Sequence, residues 1–248
     1  MDLAPGEMRK EGLLVMKITV QQQHDYGPGL CDEMFRSVYG APPEVLSDLW
    51  EDLRSTNIPA ARLTAKEDSP HGLKMFLMVN YFLWTYPRNA RVLQVHFVPI
   101  AEHNTRGKPL WNWVGKMAAL LPEKIQWLPQ LDDPNWEIFV VSVDGVDCRT
   151  NEQRDHPVFP INSKRCSHKY KHTALRYEIG VAIYEEKIVW VNGAFFAGKT
   201  DLTIIREGKK DGSGSLFDKV QPGKMMTADR GYRTSRPNEV NKMAFKRN

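Results

Sequence analysis

Two aspartates stand where a carboxylate can do chemistry. Asp144 follows Ile138–Val143, an almost wholly apolar run that reads as a buried strand. Asp229 follows a second short run, Met225–Ala228, and precedes Arg230-Gly231-Tyr232. A carboxylate at a strand end projects from a rigid frame into the space above a sheet. Two of them on neighbouring strands could share Mg²⁺ or Mn²⁺, with Mg²⁺ the hard cation that prefers oxygen ligands and keeps several waters. Such ions activate water and stabilise the leaving oxygen in phosphodiester cleavage. Plain turn chemistry competes at both places. Val-Asp-Gly-Val is a favoured hairpin turn, and Asp-Arg-Gly shapes a tight one.

Three other groups bear on chemistry. Gly193-Ala194-Phe195-Phe196-Ala197-Gly198-Lys199-Thr200 fits the P-loop pattern, in which backbone N–H groups wrap phosphates and the lysine reaches them. Two phenylalanines inside the loop and a preceding strand that pairs as a hairpin argue against it. Cys148, Cys166, His168 and His172 are zinc-ligand types, but they lack the usual paired spacing. The same stretch carries Lys164, Arg165, Lys169, Lys171 and Arg176, with no acid between Asp155 and Glu178. A basic loop contacting phosphates is the simpler reading, and Arg230 belongs with that set.

The elements that must position these residues come in two kinds. Residues 1–30, with Gln21-Gln22-Gln23 and two Gly/Pro breaks, read as a flexible lead-in. Residues 31–128 read as helical. A helix starts at Pro42-Pro43, a loop follows over 54–71, and a helix apolar nearly all round, hence buried, spans Leu73–Tyr86. Two more are expected at Asn89–Phe97 and Thr105–Leu121. Together they suggest a helix-turn-helix-like module, with an ordinary small bundle as the alternative. Trp111 and Trp113 read as core, and Arg106, Lys108 and Lys116 as its phosphate contacts if it docks on DNA. Pro122, Pro129 and Pro134 mark a linker. From 136 to 248 the period changes from 3.6 to 2. Residues 175–183 and 188–191 form a hairpin about Glu185-Glu186, Asp201–Arg206 a short helix, and 207–223 a mobile loop. The fold class is therefore α+β.

Composition sets the outer limits. A chain of 248 residues buries a sizeable core in one or two domains. No apolar run approaches the roughly 18 residues a membrane span needs, and Met1–Lys17 lacks the apolar core of a secretory signal. Three scattered cysteines form no disulfide framework, which fits an intracellular compartment. Net charge is +4, but residues 138–248 carry 20 Lys/Arg against 13 Asp/Glu, a net of +7. A polyanionic partner for the second half would use that asymmetry.

Residues 138–232 also resemble a known family. Val143–Arg149, Tyr177-Glu178-Ile179-Gly180, Val189–Gly193, Ala197-Gly198-Lys199-Thr200-Asp201 and Ala228–Tyr232 are similar, in order, to the nuclease core of Harbinger-type DDE transposases. The resemblance implies an RNase H-like mixed sheet behind a helical N-terminal region. It makes Asp144 and Asp229 the first two catalytic and metal-binding acids, with Asp201 auxiliary. It implies metal-dependent DNA cleavage and transfer in the nucleus, and it leaves self-association open. The family's third acid, a glutamate on a later helix, has no counterpart before Asn248. Glu239, directly behind Pro237 in a linker-like segment, is not assigned that role. The expectation is therefore a sheet incomplete at its C-terminal end and a truncated or degenerate copy. The alternatives are a non-catalytic DNA-binding descendant and a P-loop nucleotide hydrolase.

Overall fold

The computed structural model describes residues 3–85, 107–150, 165–167, 169–170, 173–209 and 212–245. The expected helix 89–97 and residues Arg106, Lys164, His168, Lys171 and His172 lie outside them. The chain divides into two compact units, Met1–Lys124 and Ile125–Asn248.

The first unit is helical: α1 Pro5–Val15, α2 Val20–Tyr39, α3 Pro43–Ser55, α4 Pro70–Thr85, α5 Gly107–Ala119 and α6 Leu121–Lys124. The lead-in expected to be flexible is thus α1 and the start of α2. The cause is both local and tertiary. Thr19 and Gln22 form a reciprocal capping box that satisfies two backbone donors at the start of α2. Met8 and Leu13 are fully buried, and the Tyr39 hydroxyl donates to the Gly12 carbonyl at 2.9 Å. The Gly27-Pro28 break only kinks α2, because Gly27 takes a φ of 73° there. Thr19→Ala should accordingly cost about 1 kcal/mol in urea unfolding of this unit; no change in midpoint would mean that the cap does not hold this segment.

Pro43 opens α3 at a position where its missing N–H costs nothing. The largely apolar α4 buries Gly72, Leu73 and Met75 through Tyr81, as its pattern predicts, and leaves Lys74 exposed. Trp50 packs edge-on against Phe76 at 5.4 Å and stacks on Trp113 at 6.2 Å. Trp113 is core, while Trp111 is 57 % exposed and meets Phe82 edge-on. Lys116, considered as a phosphate contact, is instead spent inside the unit. Its ammonium pairs with Glu67 at 3.2 Å and donates to the Arg62 carbonyl. No helix among the described residues is long and apolar enough to cross a membrane.

The second unit is a mixed five-stranded sheet in the order β3-β2-β1-β4-β5. The strands are β1 Phe139–Arg149, β2 Ala174–Ala182, β3 Ile188–Phe196, β4 Met225–Ala228 and β5 Met243–Phe245. β1, β2 and β3 pair antiparallel; β4 joins β1 and β5 joins β4 in parallel. Parallel neighbours need crossovers. α7 Asp201–Arg206 and α8 Leu216–Lys219 lie between β3 and β4, and α9 Pro237–Val240 lies between β4 and β5. Val141, Val143, Ala182, Trp190, Ile205, Leu216, Met226 and Tyr232 share the core.

Three local expectations change. β1 does not end at Val143 but runs to Arg149, because Val146–Arg149 continue the ladder opposite Tyr177–Ala174. The segment 207–223 contains α8, opened by a Ser215–Asp218 capping box and anchored by buried Leu216, Phe217 and Val220. Residues 243–245 add a fifth strand that no periodicity announced.

Candidate acidic site at the ends of β1 and β4

The site starts from strand register. Ser142 of β1 lies beside Thr227 of β4 in the parallel pairing, which goes no further. Asp144 and Asp229 each stand two residues beyond that pair. Side chains alternate along a strand, and Asp229 keeps an extended backbone (φ −77°, ψ 179°). The two aspartates therefore occupy equivalent positions on one face, where adjacent strands are about 4.8 Å apart. Asp144 is mid-strand with respect to β2, opposite Ile179, so Val-Asp-Gly-Val is not a hairpin turn. Asp229 does shape its turn: it caps a 3-10 turn, Arg230–Tyr232, by accepting the Gly231 N–H at 2.7 Å. Asp144 Oδ1 likewise accepts the Gly145 N–H at 2.7 Å.

Asp201 reaches the same place from the opposite face. It is the first residue of α7, with Thr200 as the cap before it. Two glycines make room for its carboxylate. A Cβ on Gly145 would lie 2.7 Å from Asp201 Oδ1, and one on Gly231 would lie 2.5 Å from Oδ2. A side chain at either position would push Asp201 out from between the two strand ends. Burial raises the Asp201 pKa; Arg176 opposes this, and the charges of Asp229 and Asp144 add to the rise.

Arg176 on β2 organises the floor of the site. Its Nε and Nη2 hold both oxygens of Asp147 at 2.6 and 2.9 Å, a bidentate pair. Its Nη1 reaches Asp201 Oδ1 at 3.0 Å and the Lys199 carbonyl at 3.1 Å. The Ser167 hydroxyl donates to Asp147 at 2.5 Å, which ties the basic segment to β1. Burial works to raise the Asp147 pKa, but the hydrogen bonds from Arg176 and Ser167 outweigh it and hold the carboxyl below the usual range.

Beneath Gly145, its cross-strand partner Glu178 is fully buried. Glu178 Oε1 accepts the Trp190 indole N–H at 2.8 Å, while Oε2 and the nearby buried Tyr232 hydroxyl lack a hydrogen-bond partner among the described residues. Burial pushes the Glu178 pKa from 4.5 up to about 7, against the Trp190 hydrogen bond and with help from the Asp201 charge. The folded chain therefore keeps this proton to near neutrality, whereas the unfolded chain releases it near 4.5. Stability from this group is full below pH 4.5 and is lost as pH rises through 7, a difference of up to about 3 kcal/mol. Asp201 titrates in the same sense, while Asp147 and Glu239, both with lowered pKa values, act only at lower pH. Urea midpoints of the second unit should fall between pH 5 and pH 8, and Glu178→Gln should flatten most of that slope. An equal slope in the variant would refute the assignment to Glu178.

The remaining expected residues are distributed as follows. Arg230 is exposed directly beside Asp229. Arg165 lies over the Phe196 ring at 5.4 Å and Lys169 over Tyr170 at 5.4 Å. Gly193–Phe196 belong to β3, and Lys199 is held by Glu207 at 2.6 and 2.8 Å, so this segment does not wrap a phosphate. Glu239 is drawn away from the acids by Arg206, Arg236 and Thr234. No chemical role for Glu178 or Tyr232 and no pairing of Arg176, counted only among the basic residues, with Asp147 came from the sequence reading. Glu178, Tyr232 and Asp147 fall within the segments that carry the family resemblance, whereas Arg176 lies just outside them.

The acids Asp144, Asp201 and Asp229 offer carboxylate oxygens, the donor type a hard dication takes, but the Arg176 guanidinium stands among them, 3.0 Å from Asp201. No group of three or more His, Cys, Asp or Glu among the described residues is already gathered as metal ligands. Asp144 and Asp229 turn to backbone N–H groups and Asp201 turns to Arg176. No family model, curated protein or solved structure matches the chain.

Proposed function

We propose that residues 139–245 are the RNase H-like nuclease core of a Harbinger-type DDE transposase, acting on DNA in the nucleus. The observation that carries this reading is the register that sets Asp144 and Asp229 at equivalent positions beyond the Ser142–Thr227 pair. The strand order, three antiparallel strands followed by two added in parallel, supports it.

Asp144 and Asp229 would hold Mg²⁺ or Mn²⁺, with Asp201 as an auxiliary acid. Held there, such an ion would supply charge neutralisation at the scissile phosphate and a lowered pKa for the attacking water or 3′-hydroxyl. This chain's own residues do the rest. Arg176 offsets part of the negative charge of Asp147 and Asp201 and fixes Asp201. Arg230, next to Asp229, and Arg165 and Lys169, with Lys164 and Lys171 in the same segment, meet backbone phosphates. No side chain here serves as a covalent nucleophile.

A second reading is a DNA-binding descendant that no longer cuts. The hold of Arg176 on Asp201 favours it, since a guanidinium already occupies the acid nearest the pair. Nicking of supercoiled plasmid by the purified protein separates the two. Nicking that needs Mg²⁺ or Mn²⁺ and is lost in Asp144→Asn supports the nuclease. DNA binding with no nicking by the unaltered protein establishes the second reading.

A further inference from the structure

Two buried oxygens beneath the acids, Glu178 Oε2 and the Tyr232 hydroxyl, have no hydrogen-bond partner among the described residues. From their placement we infer that Tyr232 and Glu178 are positioning residues, joined by one bound water over Gly145 into an internal strut that holds the Asp229 turn against β2. Glu178 is fully buried and Tyr232 is 1 % exposed. The large majority of such buried side-chain atoms are hydrogen-bonded, and one left without a bond costs stability. Two of them at one place call for a common partner.

The space they share lies over Gly145. The Tyr232 hydroxyl is 3.7 Å from the point where a Gly145 Cβ would stand, and Asp201 Oδ1 is 2.7 Å from the same point. Glu178 is the cross-strand partner of Gly145. Such partners set their Cβ positions about 5 Å apart on one face, so the longer Glu178 side chain brings its carboxyl to this space. Its Oε1 is taken by the Trp190 indole, which leaves Oε2. A water over Gly145 then accepts the Tyr232 proton and donates its own two to Glu178 Oε2 and Asp201 Oδ1. That makes about three hydrogen bonds, the usual number for a buried water. Asp201 Oδ1 also accepts from Arg176, and a carboxylate oxygen has room for both.

The strut links the two strand-end aspartates. Tyr232 ends the 3-10 turn that Asp229 caps. Glu178 stands on β2 next to Ile179, the cross-strand partner of Asp144. The parallel ladder of β1 and β4 stops at Ser142 and Thr227, so it does not itself fix the turn that carries Asp229. Tyr232, through the water, gives that turn a link to the β1–β2 ladder. Its use in spacing two metal ligands rests on the nuclease reading; the strut itself does not.

Amide hydrogen exchange of the full chain, followed by NMR, tests it at Gly231 and Arg233. Their N–H groups donate to the Asp229 carboxylate and the Arg230 carbonyl. Tyr232→Phe removes the hydroxyl and keeps the ring in the core. Exchange at these two amides should quicken about fivefold relative to the amides of the β2–β3 ladder, the size expected for one lost hydrogen bond. Glu178→Met should act likewise from another strand, and the double variant should exceed neither single one. Glu178→Gln keeps a polar end for the water and should leave the rates unchanged. Unchanged exchange in Tyr232→Phe, single effects that multiply in the double variant, or a high-resolution crystal structure without a water over Gly145 overturns the inference. Should Glu178→Met fail to fold, Tyr232→Phe and Glu178→Gln decide. Mn²⁺ affinity, measured separately by EPR, should fall about tenfold in Tyr232→Phe, as for the loss of a group that supports a ligand. An unaltered protein that takes up no Mn²⁺ overturns the nuclease reading, and the exchange rates still decide the strut.

Discussion

Plasmid nicking in Mg²⁺ is expected to fall more than about a hundredfold in Asp144→Asn and in Asp229→Asn, with both variants folded. The magnitude follows from ligand loss. Residues that merely support a metal ligand cost 10- to 100-fold when removed, so a ligand itself costs more. Asparagine is the informative replacement because it keeps the acceptor that each carboxylate gives to the backbone. Asp229 Oδ1 caps the turn through the Gly231 N–H, and Asn caps as well as Asp. Asp144 Oδ1 holds the Gly145 N–H in the same way. Both side chains are exposed, so neither change opens a cavity. What is lost is a negative charge at each of two equivalent positions. Nicking that survives in either variant would dismiss the pair as the metal site. A plasmid assay of the double variant adds a check: two ligands of one ion act as a unit, so the double loss should equal the single losses and not their product.

Arg176→Met should destabilise the second unit by about 3 to 5 kcal/mol, the usual cost of breaking a buried ion pair from one side. Asp147 is 3 % exposed and loses both bidentate bonds, while Asp201 loses its ion pair with Arg176. The Ser167 hydroxyl still donates to Asp147, which softens the loss without neutralising the charge. A cooperative urea transition of the second unit measures it. Arg176→Met with Asp147→Asn should recover part of the stability, because the stranded charge is then gone. A single variant as stable as the original would mean that solvent reaches this pair. The same substitution also probes function. With the guanidinium removed, Asp201 is free to turn toward Asp144 and Asp229, and Mg²⁺ should bind more tightly where the fold survives.

Much of the second unit was legible from local pattern. Alternation over 175–183 and the Glu185-Glu186 turn gave β2, β3 and their pairing, since side-chain period is a property of the strand itself. The apolar circumference of α4 gave a buried helix for the same reason.

Other features depended on partners distant in sequence. Asp144-Gly145 looks like a turn by composition, and only the ladder with Tyr177–Ala174 makes it mid-strand. The helical lead-in needs Phe35 and Tyr39 to bury Met8 and Leu13, and its glutamine run hides the cap. Glu178 reads as one face of an amphipathic strand until Trp190 and α7 close over it and take its water away.

The sequence by itself thus determined the hairpin strands β2 and β3, which helix is buried and where acids follow apolar runs, because these are settled within one turn or one pleat. Only the tertiary structure decided which acids meet. Adjacency of β1 and β4 is a non-local pairing, and the approach of Asp201 depends on two glycines, Gly145 and Gly231, that come together only when the sheet forms.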